Sequence, residues 1–158
     1  RPGSNFAPLQ GATYCAGAPF DFYAESEGFC DAPLTVLIRS AEWCGPCQFK
    51  ATQIGRGLLD EYADAGVRFL TIIDQNERGG APSQAVCENW ERRFGLGEVP
   101  IDHRMLVNPA QEVAVYFPPG ESGYPGNLIV DSQGVIRARI LGADIDGLKA
   151  EIDRLLGE

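Results

Sequence analysis

Cys44 and Cys47, in the segment Trp43-Cys44-Gly45-Pro46-Cys47, have the spacing in this chain best suited to chemistry. Two thiols held that way close and reopen a disulfide, and so store and release two electrons. The segment follows the apolar run Leu34-Thr35-Val36-Leu37-Ile38 and precedes a pattern of helical period, so a strand should lead into a helix that starts at Cys44. The first N–H groups of a helix lack intrahelical partners and its dipole is positive there. A thiolate is stabilised in that setting, and the Cys44 pKa is expected below the free value of about 8.5. Cys47, one turn on, should share the same side of the helix, be more buried, and resolve a mixed disulfide formed at Cys44. Pro46 falls in the first turn, where a missing N–H costs little. Trp43 should cover the dithiol with an apolar, indole-bearing surface.

Other uses of these thiols are weaker. A structural zinc site needs four ligands. The chain offers no second Cys-x-x-Cys and a single histidine, His103, so no metal is expected and His103 reads as a polar residue at a strand start. A purely structural Cys44–Cys47 disulfide would close too small a loop to stabilise much. Three further cysteines remain, Cys15, Cys30 and Cys87, an odd number that leaves at least one thiol unpaired within a monomer. Cys15 and Cys30 flank a short aromatic segment. A structural disulfide between them would close a loop of about 15 residues and contribute about 3 kcal/mol. That pairing is the expectation, with Cys87 a buried inert thiol; free thiols, or Cys87 paired with either partner, stay open. A disulfide implies an oxidising compartment.

The elements that must hold the dithiol can be read along the chain. With 158 residues, 44% hydrophobic and 22% charged, it suits one globular domain with a real core. No apolar run approaches the roughly 20 residues needed to cross a bilayer. The net charge of −9 and the lack of a Lys/Arg cluster argue against nucleic acid or an anionic membrane surface as a partner. Residues 1–33, rich in Gly, Pro, Ala and Ser, read as an irregular extension packed on a domain spanning 34–158. That domain should run strand (34–39), helix (44–63), strand (67–73), helix after Pro82-Ser83, short strand (104–107) and brief helix to Tyr116. A hairpin (127–131 and 135–141) and an amphipathic helix through Leu155 follow. Gly55 and Gly57 weaken the first helix by up to about 1 kcal/mol each. The early alternation predicts an α/β fold, a mixed central sheet with helices on both faces.

Ser40-Ala41-Glu42-Trp43-Cys44-Gly45-Pro46-Cys47 after a buried strand closely resembles the thioredoxin active site. Downstream, Gly123-Tyr124-Pro125-Gly126-Asn127-Leu128-Ile129-Val130-Asp131 is similar to the thioredoxin segment that carries a cis-proline before the hairpin. Trp90 to Phe117 looks like the helix-strand insertion of TlpA-type extracytoplasmic thioredoxins. The resemblance covers roughly residues 34–157. It implies that Pro125 is the cis-proline facing the dithiol, and that Tyr124 before it offers backbone groups to a bound polypeptide. Two departures stand out. Ile38 occupies the place of the buried acid of thioredoxins, and Lys50 the place of the glutamate that TlpA-type proteins often carry three residues after the second cysteine. Either water, Glu42 or a side chain without a sequence signal takes the proton of Cys47, or turnover is slow. Lys50 itself reads as a solvated helix lysine or as a charge favouring the thiolate.

The expected function is a thiol-disulfide oxidoreductase that reduces protein disulfides through Cys44 and Cys47, supported by Trp43, Gly45 and Pro46. Its partners would be a disulfide-bearing protein and a separate thiol reductant. The Gly-Pro dipeptide favours reduction over oxidation. The alternative is a redox-inert or disulfide-oxidising module using the fold for binding. A peroxiredoxin would need Thr where Ala41 stands. No nucleotide or flavin motif is visible, so the cofactor is the dithiol itself. The protein is expected to be an extracytoplasmic monomer, periplasmic or secreted. Its first residue is Arg1 rather than Met, which reads as a processed or trimmed product from which a signal segment could have been removed upstream.

Overall fold

A computed structural model describes residues 3–96 and 103–158; residues 97–102, within the expected insertion, lie outside the described part. The strands are β1 (Thr13–Tyr14), β2 (Leu34–Ala41), β3 (Arg68–Gln75), β4 (His103–Val107), β5 (Gly126–Asp131) and β6 (Ile136–Leu141). They form one sheet in the order β1-β4-β3-β2-β5-β6. β2, β3 and β4 run parallel, β5 and β6 are antiparallel to their neighbours, and β1 pairs antiparallel with β4. β2 is buried at every position, which is why its sequence is an apolar run rather than an alternation.

The helices α1 (Gly45–Gln53), α2 (Leu59–Ala63), α3 (Gln84–Phe94) and α4 (Ile145–Leu156) bury Ala51, Tyr62, Trp90, Leu148 and Ile152 against Val36, Ile38, Phe69 and Ile129 on one face of the sheet. The opposite face carries short 3-10 turns and the N-terminal extension. There Phe6, Leu9, Phe20, Phe22 and Phe29 cover Leu37, Leu70, Leu106 and Val130. The helix expected from Cys44 to Ala63 is broken. A π-helical turn over Ile54–Leu58 separates α1 from α2, and Gly57 sits at φ 152°, outside the helical region. Only glycine adopts that conformation without strain.

The extension crosses the whole sheet face. Gly3 N–H donates to Ile136 O at 2.6 Å and Ile136 N–H to Ser4 O at 2.8 Å, along the β6 edge. Thr13 and Tyr14 then pair with Val107 and Leu106 at the other edge. Both edges, which would otherwise expose unpaired backbone groups, are thus blunted by residues of the same segment.

The cysteine pairing differs from the expectation. Cys15 is bonded to Cys87, not to Cys30, across 72 residues of sequence. The register of β1 on β4 carries the chain past the sheet edge to the helix face, where Cys15 meets Cys87 of α3. Phe29 buries itself on the opposite face and leaves its neighbour Cys30 exposed and free. Cys87 is therefore buried but not a thiol. Loop length favoured the local partner, and the sheet decided otherwise.

In the chain-entropy relation, a cross-link over this distance contributes about 4 kcal/mol. Cys15→Ala with Cys87→Ala should lower the urea midpoint substantially, whereas Cys30→Ser should leave it within about 0.5 kcal/mol. Equal effects of the two changes in urea melts would contradict the pairing.

Candidate active site

The dithiol lies at the carboxyl end of β2, where α1 begins. Cys44 is the N-cap of α1, and its Sγ accepts the backbone N–H of Cys47 at 3.1 Å. That N–H is one of the helix donors left over at the N-terminus, so it stabilises negative charge on Cys44 when the pair is reduced. The two sulfurs are bonded to each other. Both residues are buried, at 2% and 1% exposure, so the expected difference between them is absent in this disulfide form. Pro46 occupies the first turn, as its missing N–H allows. A Cβ on Gly45 would meet nothing within 4 Å, so packing does not demand glycine there.

The Tyr124–Pro125 peptide bond is cis. Its loop enters β5 directly beside β2, with Gly126 opposite Arg39. Gly126 is required by close approach, because a Cβ would lie 2.6 Å from the Phe117 ring. The Tyr124 side chain turns inward and is buried, and its N–H donates to Glu121 O at 3.0 Å. Trp43 meets the Tyr124 ring edge-on at 5.1 Å, and its indole N–H donates to Gln75 Oε1 at 2.7 Å. Beside Trp43 and Tyr124 an open groove of about 530 Å³ continues past Gln75, Glu77, Arg78 and Glu121.

Two buried polar groups flank this end of the sheet. On the extension face, Arg39 Nε pairs with Asp74 Oδ2 at 2.6 Å, and Tyr124 Oη donates to Asp74 Oδ1 at 2.5 Å. The Arg39 guanidinium also lies over the Tyr124 ring, 4.1 Å from its centroid. Burial pushes the Asp74 carboxyl up, against the opposing pull of Tyr124 and Arg39. Burial and the Asp74 contact both raise the Tyr124 phenol, keeping it a donor.

On the helix face, Lys50 is fully buried at 0% exposure, contrary to a solvated helix lysine. The reason is its place in α1. Starting the helix at Gly45 sets Lys50 on the same inward face as Cys47 and Ala51. Its Nζ donates to Asn127 Oδ1, and Asn127 Nδ2 donates to Ile140 O at 2.7 Å and to Gly142 O at 3.2 Å. Burial lowers the Lys50 pKa to about 7, with Asp144 at the N-cap of α4 pulling the other way. Ile38, in the position of the expected acid, is the register partner of Asn127. Glu42 is occupied elsewhere, its Oε1 accepting Glu77 N–H at 2.7 Å.

Sequence reasoning singled out Trp43, the dithiol and the proline loop, and the structure brings them together. It missed Arg39, Asp74, Gln75 and Asn127. A signal existed for the first two, since an arginine and an aspartate each close a strongly apolar strand. Among the described residues, Cys15, Cys87 and Glu91 gather metal-type donor atoms within 4.8 Å, but the two sulfurs are bonded to each other and not free to ligate.

A central sheet of this strand order, a Cys-x-x-Cys pair capping the first helix and a cis-proline loop beside it decide the architecture. The fold is thioredoxin-like. No protein-family model and no curated protein sequence matches the chain. Among solved structures, it is similar to the thioredoxin domain of a thiol-disulfide oxidoreductase from Bacteroides vulgatus (TM-score 0.67, 14% identity, 99% of this chain and 98% of that one). It is also similar to a secreted Mycobacterium tuberculosis disulfide oxidoreductase homologous to E. coli DsbE (0.61, 14%, 94% and 96%). A yeast mitochondrial 1-Cys peroxiredoxin shares the architecture as well (0.65, 13%, 98% and 76%). At such identities the likeness carries the fold; the chemistry has to come from the residues.

Asp74→Ala strands Arg39 in the interior and should cost about 3–5 kcal/mol. Tyr124→Phe removes one donor and should cost about 1–3 kcal/mol, so urea melts of the two variants must rank in that order. For Lys50, the unfolded chain keeps its proton up to about 10.5 and the native state loses it near 7. Between those values the unfolded state binds more protons, so stability rises with pH, by up to about 1.4 kcal/mol per unit. Below about 7 both states are protonated and the cost of burying the charge is complete. Lys50→Met should flatten the climb in urea melts run from pH 7 to 9.5.

Proposed function

We propose that this protein is an extracytoplasmic thiol-disulfide oxidoreductase that reduces disulfides in polypeptides. The observation that carries the reading is the Cys44 sulfur at the N-cap of α1, receiving the Cys47 N–H beside a cis-proline loop. Reduced Cys44 attacks one sulfur of the substrate disulfide and the other leaves as a thiolate. Cys47 then attacks Cys44, expelling the second substrate sulfur and restoring the Cys44–Cys47 disulfide. Two electrons pass to the substrate, and a separate thiol reductant regenerates the dithiol.

Pro125 faces the dithiol, and the backbone of Tyr124 serves as the docking group for the substrate strand. The Tyr124 side chain is held inward by Asp74, so recognition there is through backbone. The groove beside Trp43 receives the residues flanking the substrate cysteine. An oxidising compartment is supported by the Cys15–Cys87 disulfide and by the secreted neighbour from M. tuberculosis. Among the described residues, no helix is long and apolar enough to cross a membrane.

Insulin reduction with dithiothreitol as electron source tests the activity. Wild type should accelerate precipitation, Cys44→Ser should abolish the effect, and Cys47→Ser should accumulate a mixed disulfide visible by mass. No acceleration by wild type would overturn the reading. A reduction potential of the pair near about −270 mV supports the reducing direction, and one near about −120 mV an oxidant.

A further inference from the structure

Cys47 is buried, and a buried thiol must lose its proton before it can attack. Among the described residues, Lys50 is suited to that task. Lys50 follows Cys47 by one turn of α1 and is equally sealed from solvent. Residues at that spacing lie on one face with about 5–6 Å between their Cβ atoms, a gap that one bridging water or a turn of the lysine stem closes. The amine is not held by a carboxylate among the described residues. Its partner is the neutral Asn127 Oδ1. Asn127 spends both amide hydrogens on the carbonyls of Ile140 and Gly142, so its oxygen is left to face the lysine. Asn127 also stands two residues beyond Pro125, beneath the strand end that the dithiol faces.

We propose that the Lys50 amine accepts the Cys47 proton when Cys47 resolves the mixed disulfide on Cys44, and returns it when the step runs backward. The proposal rests on the oxidoreductase reading above. In the forward step the Cys47 proton passes to Nζ and the Cys47–Cys44 bond forms. The bond from Cys44 to the substrate sulfur breaks, and that sulfur leaves with the electron pair. The resulting ammonium releases its proton to solvent once the substrate has gone. The groups facing Lys50 set its readiness. Cys47 lies on its own helix, and Asn127 of β5, with its register partners Ile38 of β2 and Ile140 of β6, carries no charge. Asp144 at the start of α4 favours the protonated form but is outweighed by burial, so the amine titrates near 7 and is available as a base around neutral pH. Lys50 thus takes over from the carboxylates that Ile38 and Lys50 itself displace.

The test reads the two displacement steps separately in a Cys30→Ser background, which removes the exposed thiol. Reduced protein is mixed with dithiobis(nitrobenzoate) in a stopped-flow instrument from pH 6 to 9. The first release of thionitrobenzoate reports Cys44, and the second reports Cys47 resolving the mixed disulfide. Lys50→Met should leave the first phase intact and slow the second about 100-fold at pH 7. Identical second-phase profiles in the two proteins would overturn the assignment to Lys50 while leaving the oxidoreductase reading intact. Absence of the first phase would overturn that reading and this one with it. Should Lys50→Met fail to fold, wild type alone decides. A second phase that levels off above about pH 7 supports the amine, and one that climbs tenfold per pH unit through pH 9 overturns it.

Discussion

The pairing of β2 on both sides is the constraint on which the site depends. Parallel to β3 and antiparallel to β5, this strand can end in one place only, with α1 starting directly above it. The same two neighbours deliver everything that surrounds the sulfurs. β3 ends in Asp74 and Gln75, which hold Arg39, Tyr124 and Trp43. β5 begins with the cis-proline loop and then Asn127, which holds Lys50. A strand buried on both faces cannot slip by one residue without turning Ile38 and Arg39 to the wrong sides. The register of β2 therefore fixes which polar group lies on which side of the dithiol.

Much of this was legible in the chain itself. Apolar runs at Leu34–Arg39 and Val67–Ile73, the hairpin around Ser132-Gln133-Gly134 and the periodicity of the last helix each mark an element within a residue or two of where it lies, because local pattern and burial agree there. The dithiol and the proline loop were legible because glycine, proline and cysteine at those spacings have few other uses. What was hidden is long-range. The Cys15–Cys87 bond depends on β1 joining a far edge of the sheet, which no local pattern encodes. The burial of Lys50 depends on where α1 starts and on Asn127, which is 77 residues away. Arg39 and Asp74 looked like strand-end charges, and only strand adjacency makes them an ion pair.

The N-terminal extension illustrates how a segment poor in regular structure can still carry much of the fold. Its aromatic residues pack on one another, Phe22 stacked on Phe29 at 5.0 Å and Phe6 edge-on to Phe22 at 5.1 Å, and replace a helical layer on that face. Bulky rings bury a large apolar area per residue, which suits a chain that must cross a sheet in few steps. Anchoring at both edges and at Cys87 then restricts it without a helix of its own.

Two kinds of buried polar group meet at the dithiol, and they differ in what they can do. Arg39 and Asp74 neutralise each other, and the contacts of Tyr124 to both leave the pair a fixed feature. An ion pair satisfied in this way holds a geometry but has no reason to change its charge. Lys50 has no such partner, so in the oxidised protein its charge is opposed by burial alone. A lone thiolate on Cys47 would be opposed for the same reason. Each charge is unfavourable by itself, but forming both together creates an attracting pair with no net charge in the interior. Proton transfer from Cys47 to Lys50 avoids the cost of either charge alone. A buried lysine at this position is in that sense a consistent replacement for a buried acid. An acid must be ionised to act as a base, whereas the amine is the uncharged base above about pH 7, which suits an interior that already holds one ion pair.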